Sequence, residues 1–136
     1  AGQADVVVGL EKLEGLRYAN FVNQQSGTVL VNDHEIIPGS VAGAAEKYPH
    51  HSIEFLRGKG LNVIALPASQ CAKDLGDGRI ANVVMLGAMS VLVPQVSKEA
   101  WLATLDERIP EKHRALNLKA FETGIGLVNH DDGPAR

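Results

Sequence analysis

The sequence is short of the residue types that announce most chemistries. Its 136 residues include one cysteine, Cys71. A lone thiol excludes an internal disulfide and fits a reducing, cytoplasmic compartment. Aromatic residues are scarce, at three Phe, two Tyr and one Trp, so little can stack on the bases of a single-stranded nucleic acid. Cations are not in excess either. Thirteen Lys and Arg against 16 Asp and Glu leave a net charge of −3, which is no footprint for DNA or RNA. Long hydrophobic runs are missing too: the best stretch, residues 83–93, is broken by Gly87 and Ser90 and is far too short to span a bilayer. The five histidines have neither the HxxxH nor the CxxC spacing of a metal site. The G-x-S-x-G elbow of serine hydrolases does not occur.

What remains is aliphatic and ordered. Hydrophobic residues make up 45% and charged residues 21%, the composition of a globular domain. Residues 5–9 (DVVVG), 28–32 (TVLVN) and 61–66 (LNVIAL) are short, rich in β-branched residues and almost wholly apolar. Strands apolar on both faces belong to parallel sheets covered by helices. Helical patterns alternate with them at about 10–23 and 50–58, so the fold class is α/β with an open, mainly parallel sheet. After Pro67 the spacing predicts helices only, at 69–75, 79–93, 98–108 and 111–128, with Ser97 as an N-cap. Residues 129–136 read as a polar tail, and 33–49 as the longest irregular connection. No linker divides the chain, so 1–136 is expected to be a single domain.

Open α/β sheets take ligands at the carboxyl edge of their strands. Gly9, Glu11 and Asn32 should lie there, the glycine allowing close backbone approach. Asn82 opens the apolar helix and is a fourth candidate, although Asn at a helix start is usually a cap. That helix is apolar on nearly all sides, so Met85, Gly87 and Met89 are candidates for an interface; Gly87, Ala88 and Ser90 would admit a second backbone closely. None of these residues is expected to be catalytic or to bind a metal. His50 and His51 read as solvated side chains at a helix start, and Cys71 as a small buried residue.

AGQADVVVGLE at 1–11, TVLVN at 28–32, Ile37-Pro38, NVVMLGA at 82–88 and the spaced Asn117, Ala120, Phe121 and Gly124 occur in that order. In this the chain resembles the gamma subunit or gamma-type domain of the 2-oxoacid:ferredoxin oxidoreductases. Tyr48-Pro49 and Ile37-Pro38 lean towards the indolepyruvate-type beta chain. The resemblance implies a Rossmann-like domain with a helical C-terminal half, within a complex that decarboxylates a 2-oxoacid oxidatively. It implies that thiamine diphosphate and iron–sulfur clusters are held by partner chains, and that electrons pass to ferredoxin and the acyl group to coenzyme A. No cofactor is expected on this chain alone; its part would be to complete the active site and the coenzyme A side. Relatives open with a GGQG-like turn before the ADVVVG strand, so the chain is read as N-terminally incomplete. Two other readings stand beside this one: a free-standing Rossmann-like module for nucleotides or coenzyme A, and a purely structural assembly domain.

Overall fold

The computed structural model describes residues 2–37, 39 and 47–130. They form two compact units, Ala1–Pro67 and Ala68–Arg136.

The first unit is a three-stranded parallel sheet in the order β1-β2-β3. β1 is Val6–Gly9, β2 is Thr28–Asn32 and β3 is Asn62–Leu66. In register, Val7 faces Val29, which faces Val63, and Asn32 at the end of β2 faces Leu66. Every residue of β2 is buried, the outcome that its apolar centre, Val29-Leu30-Val31, demands of a central strand. Helices α1 (Lys12–Tyr18) and α2 (Ser52–Gly58) supply Leu16, Ile53 and Leu56 to a core with Val29, Val31 and Val63. Each fully buried valine contributes about 1.5–3 kcal/mol by leaving water. α2 ends at Gly58, and Gly60 (φ +81°) donates its N–H to the Arg57 carbonyl, a left-handed turn that suits glycine.

The helix expected at 10–23 is shorter than its pattern suggests. Leu10 and Glu11 form the turn and the cap, and after Tyr18 the chain tightens into a single 3₁₀ turn, Ala19–Phe21. Val22 then forms a parallel bridge with Ala4, and a residue held in a bridge cannot continue a helix.

The second unit is helical, as the pattern predicted: α3 (Ala68–Asp74), a 3₁₀ turn (Gly78–Ile80), α4 (Ala81–Leu92), α5 (Lys98–Arg108) and α6 (Glu111–His130). Ser97 caps α5, its hydroxyl accepting from the Ala100 N–H at 3.2 Å. α4 and α6 meet along their smallest residues. A Cβ on Gly87 would overlap the Phe121 carbonyl, and one on Gly124 would overlap the Val84 carbonyl and stand 2.8 Å from the Ala88 nitrogen. Val84, Ala88, Ala120 and Phe121 are wholly buried along these two helices. The close backbone approach foreseen for Gly87 is therefore made within the chain. Met85 is buried and Met89 is part-exposed. Residues 131–136 of the expected tail and, in the 33–49 connection, Pro38 and residues 40–46 lie outside the described residues. Among the described residues no helix is long and apolar enough to cross a membrane.

Candidate functional site

The carboxyl edge of the sheet carries a connected polar network. It starts at Gly9. A Cβ there would stand 2.7 Å from the Gly15 Cα and nitrogen, so the missing side chain lets α1 fold back tightly against β1. Gly15 in turn packs on Val31. This Gly9/Gly15 pair presses α1 against the strand and sets where Glu11 points.

Glu11 is a carboxylate only 7% exposed. It is the N-cap of α1: Oε1 accepts from the Glu14 N–H at 2.8 Å and Oε2 from the Leu13 N–H at 3.0 Å. The Tyr48 hydroxyl donates to Oε2 at 2.6 Å. Three hydrogen bonds and the positive end of the helix offset the cost of burying the charge. Burial, and next the bond to Glu11, push the Tyr48 phenol above its ordinary range. The other early N–H groups of α1 are also engaged. Lys12 N–H donates to the His34 carbonyl at 2.9 Å and Gly15 N–H to the Glu11 carbonyl at 3.1 Å. The position where a strand–turn–helix commonly receives a phosphate is thus filled by the chain's own carboxylate.

Asn32 closes the edge from β2. It is buried, and its Nδ2 donates to the Leu10 carbonyl at 3.1 Å, fastening the β1–α1 turn to the central strand. Beyond it the Lys12 ammonium lies 2.9 Å from Asp33 and 3.1 Å from Glu35. The other Glu35 oxygen is 2.8 Å from His50 Nδ1. Asp33, ahead of Glu35, holds the ammonium above its usual pKa, and the Lys12 hydrogen bond holds Glu35 below its own. Lys12 therefore stays an ammonium and is no amine nucleophile. The Cys71 thiol is pushed up by burial, which disfavours the thiolate. The edge thus joins a buried carboxylate cap to a chain of charged side chains running from Lys12 through Glu35 to His50.

Gly9, Glu11 and Asn32 are thus brought together as the sequence suggested, but their roles differ from the expected ones. The donors foreseen for a ligand donate to acceptors within the chain: the turn N–H groups to the Glu11 carboxylate and the His34 carbonyl, and the Asn32 amide to the Leu10 carbonyl. Asn82 belongs to the second unit and is not a cap. The 3₁₀ turn before α4 makes Ile80 its N-cap, and exposed Asn82 bonds the next N–H, Val83. Lys12, Glu35, Tyr48 and His50 were missed. His50 had been read as a merely solvated side chain, yet it pairs with Glu35 and lies 5.2 Å from the Tyr48 ring. Nothing local announces these partners, which are separated by 15 to 37 residues.

Three parallel strands with flanking helices and a polar network at their carboxyl edge define an open α/β domain. The pattern of the pyruvate ferredoxin/flavodoxin oxidoreductase family matches residues 1–127, and the chain belongs to that family. Indolepyruvate oxidoreductase subunit IorB of Archaeoglobus fulgidus is 36% identical over 129 residues, which cover 90% of this chain and 62% of that protein. The IorB subunit of Thermococcus kodakarensis is 29% identical, over 91% of this chain and 63% of its own length. The chain thus spans under two thirds of these relatives. Among solved structures, the gamma subunit of a keto/oxoacid ferredoxin oxidoreductase from Geobacter sulfurreducens superposes with a TM-score of 0.70 at 28% identity, over 95% of this chain and 66% of that one.

Proposed function

We propose that the chain is a gamma-type component of a 2-oxoacid:ferredoxin oxidoreductase of the indolepyruvate type, completing the active-site face of an assembly whose redox groups other chains hold. The observation that carries this reading is the family match over residues 1–127 in a chain whose own edge has its donors engaged internally. The residues present do not fit the family's cofactors. An iron–sulfur cluster is held by several thiolates, and Cys71 is the one cysteine. The described residues hold no group of three His, Cys, Asp or Glu side chains that could bind a metal. A diphosphate needs open N–H groups, and those of α1 are taken. Thiamine diphosphate, clusters and coenzyme A therefore belong in this reading to partner surfaces.

In the assembled enzyme Gly9, Glu11 and Asn32 shape the edge against the partner that carries thiamine diphosphate, and Asn82 and Met89 offer surface on the helical unit. The engagement of the edge donors favours a second reading, in which this chain is an assembly domain that never touches substrate. Co-expression with a chain bearing thiamine diphosphate and cluster motifs separates them. Under the first reading the two co-purify, 2-oxoacid-dependent reduction of ferredoxin requires both, and Asn82→Ala lowers turnover without releasing the subunit. Full turnover in that variant would leave only the assembly role. A chain that stays alone beside such a partner would defeat both.

A further inference from the structure

Ser52 sits at the first position of α2 and is only 2% exposed. Its hydroxyl finds no hydrogen-bond partner among the described residues. Buried hydroxyls are almost always paired, because leaving one unpaired forfeits its hydration with nothing in exchange. The residue also lines a groove of about 570 Å³, which is within the size range of small-molecule sites. Leu16, the Tyr48 ring and Phe55 give the groove apolar walls, and Phe55 is 55% exposed. His50 and His51 join Ser52 as its polar lining, and no carboxylate lines it among the described residues. Glu35 lies outside that lining, held on His50 Nδ1.

We propose that this groove is a binding site for a small amphipathic molecule, with a flat apolar body against Leu16 and Phe55 and one acceptor oxygen, carboxylate or carbonyl, that takes the Ser52 hydroxyl. The site does not rest on the proposed role in an oxidoreductase. It lies on the α1–α2 side of the first unit, and Tyr48 joins it to the carboxyl edge through the bond to Glu11. A carboxylate or carbonyl head can accept from the Ser52 hydroxyl, whereas no carboxylate in the described lining offers an ammonium head an opposite charge.

The full chain, isotopically labelled, is titrated with phenylacetate and in parallel with phenylacetamide, following amide shifts by NMR. Saturable shifts should centre on Leu16, Ser52 and Phe55. Stronger binding of phenylacetate identifies a carboxylate site, and equal binding a carbonyl site. Ser52→Ala should weaken binding by about tenfold or more. The same variant should raise the Tm of the free chain, since it deletes a hydroxyl that lacks a partner. A serine with a purely structural role would lower it. Phe55→Ala changes an exposed side chain, so the fold is retained while binding weakens. Shifts centred elsewhere, no saturable shift up to about 20 mM, unchanged affinity in Ser52→Ala, or a lowered Tm in that variant would each overturn the assignment.

Discussion

Gly124 and Gly126 lie two positions apart in α6, and the same substitution should have opposite effects on them. An alanine Cβ at 124 would overlap the Val84 carbonyl and stand 2.8 Å from the Ala88 nitrogen. Carbon needs about 3.5 Å from such neighbours. Both obstacles are backbone atoms of α4, so no rotamer change relieves the clash and the helices must part by roughly 1 Å. A gap of that size forfeits a quarter to a half of the dispersion energy at each contact along the seam, which here involves Val84, Ala88, Ala120 and Phe121. Overpacking of this kind costs about 3 kcal/mol or more. The gain from replacing glycine within a helix is about 1 kcal/mol. Gly124→Ala should thus destabilise by about 2–4 kcal/mol. At Gly126 no atom lies within 4 Å of the added carbon, so only the propensity gain remains and Gly126→Ala should stabilise by up to about 1 kcal/mol. Urea denaturation followed by far-UV circular dichroism measures both. A Gly124→Ala chain as stable as wild type, or equal losses at the two sites, would refute the crossing geometry.

Other expectations follow from the edge. Glu11→Ala removes the cap of α1 and strands the Tyr48 hydroxyl, and should cost about 2 kcal/mol; a double-mutant cycle with Tyr48→Phe should return a coupling of at least about 0.5 kcal/mol. Because the Tyr48 pKa is raised in the folded chain, its contribution to stability is fully present below the unfolded value near 10. It is lost as pH rises above that value, so the alkaline fall in denaturation midpoint should be shallower in Tyr48→Phe. In the helical unit, the Arg79 guanidinium holds the Asp77 carboxyl down to about 2. Its stabilising effect is present above the ordinary aspartate range and fades as pH falls towards that value. Carboxyl NMR of Arg79→Gln should show Asp77 titrating closer to 4, and an unmoved midpoint would assign the depression to another cause.

The parts of the fold legible in the sequence were those written in one short window. The middle of β2, Val29-Leu30-Val31, is apolar without a break because the strand is buried on both faces, and that is visible in five letters. The N-cap at Ser97 was equally local. Glu11 and Asn32 were placed at the edge because they follow strands directly. The network that binds them was not legible, since Tyr48 meets Glu11 only after the parallel crossover brings positions 37 residues apart together. Asn82 misled for a related reason: the short 3₁₀ turn carries no strong pattern, so the apolar run was taken to begin at its own polar residue. Gly124 stands out in the sequence only by its spacing after Asn117, Ala120 and Phe121, whereas in the structure it is a contact surface whose partner lies on another helix.

The two compact units are each a continuous stretch of chain, meeting at Pro67 and Ala68. During synthesis the sheet unit needs no residue from the helical unit to complete its strand order, so β1, β2 and β3 can pair while the ribosome is still making α4 and α6. Nascent chains therefore have a natural order of events. A lesion such as Gly124→Ala meets only Val84 and Ala88 of its own unit, so its damage should remain with the later half.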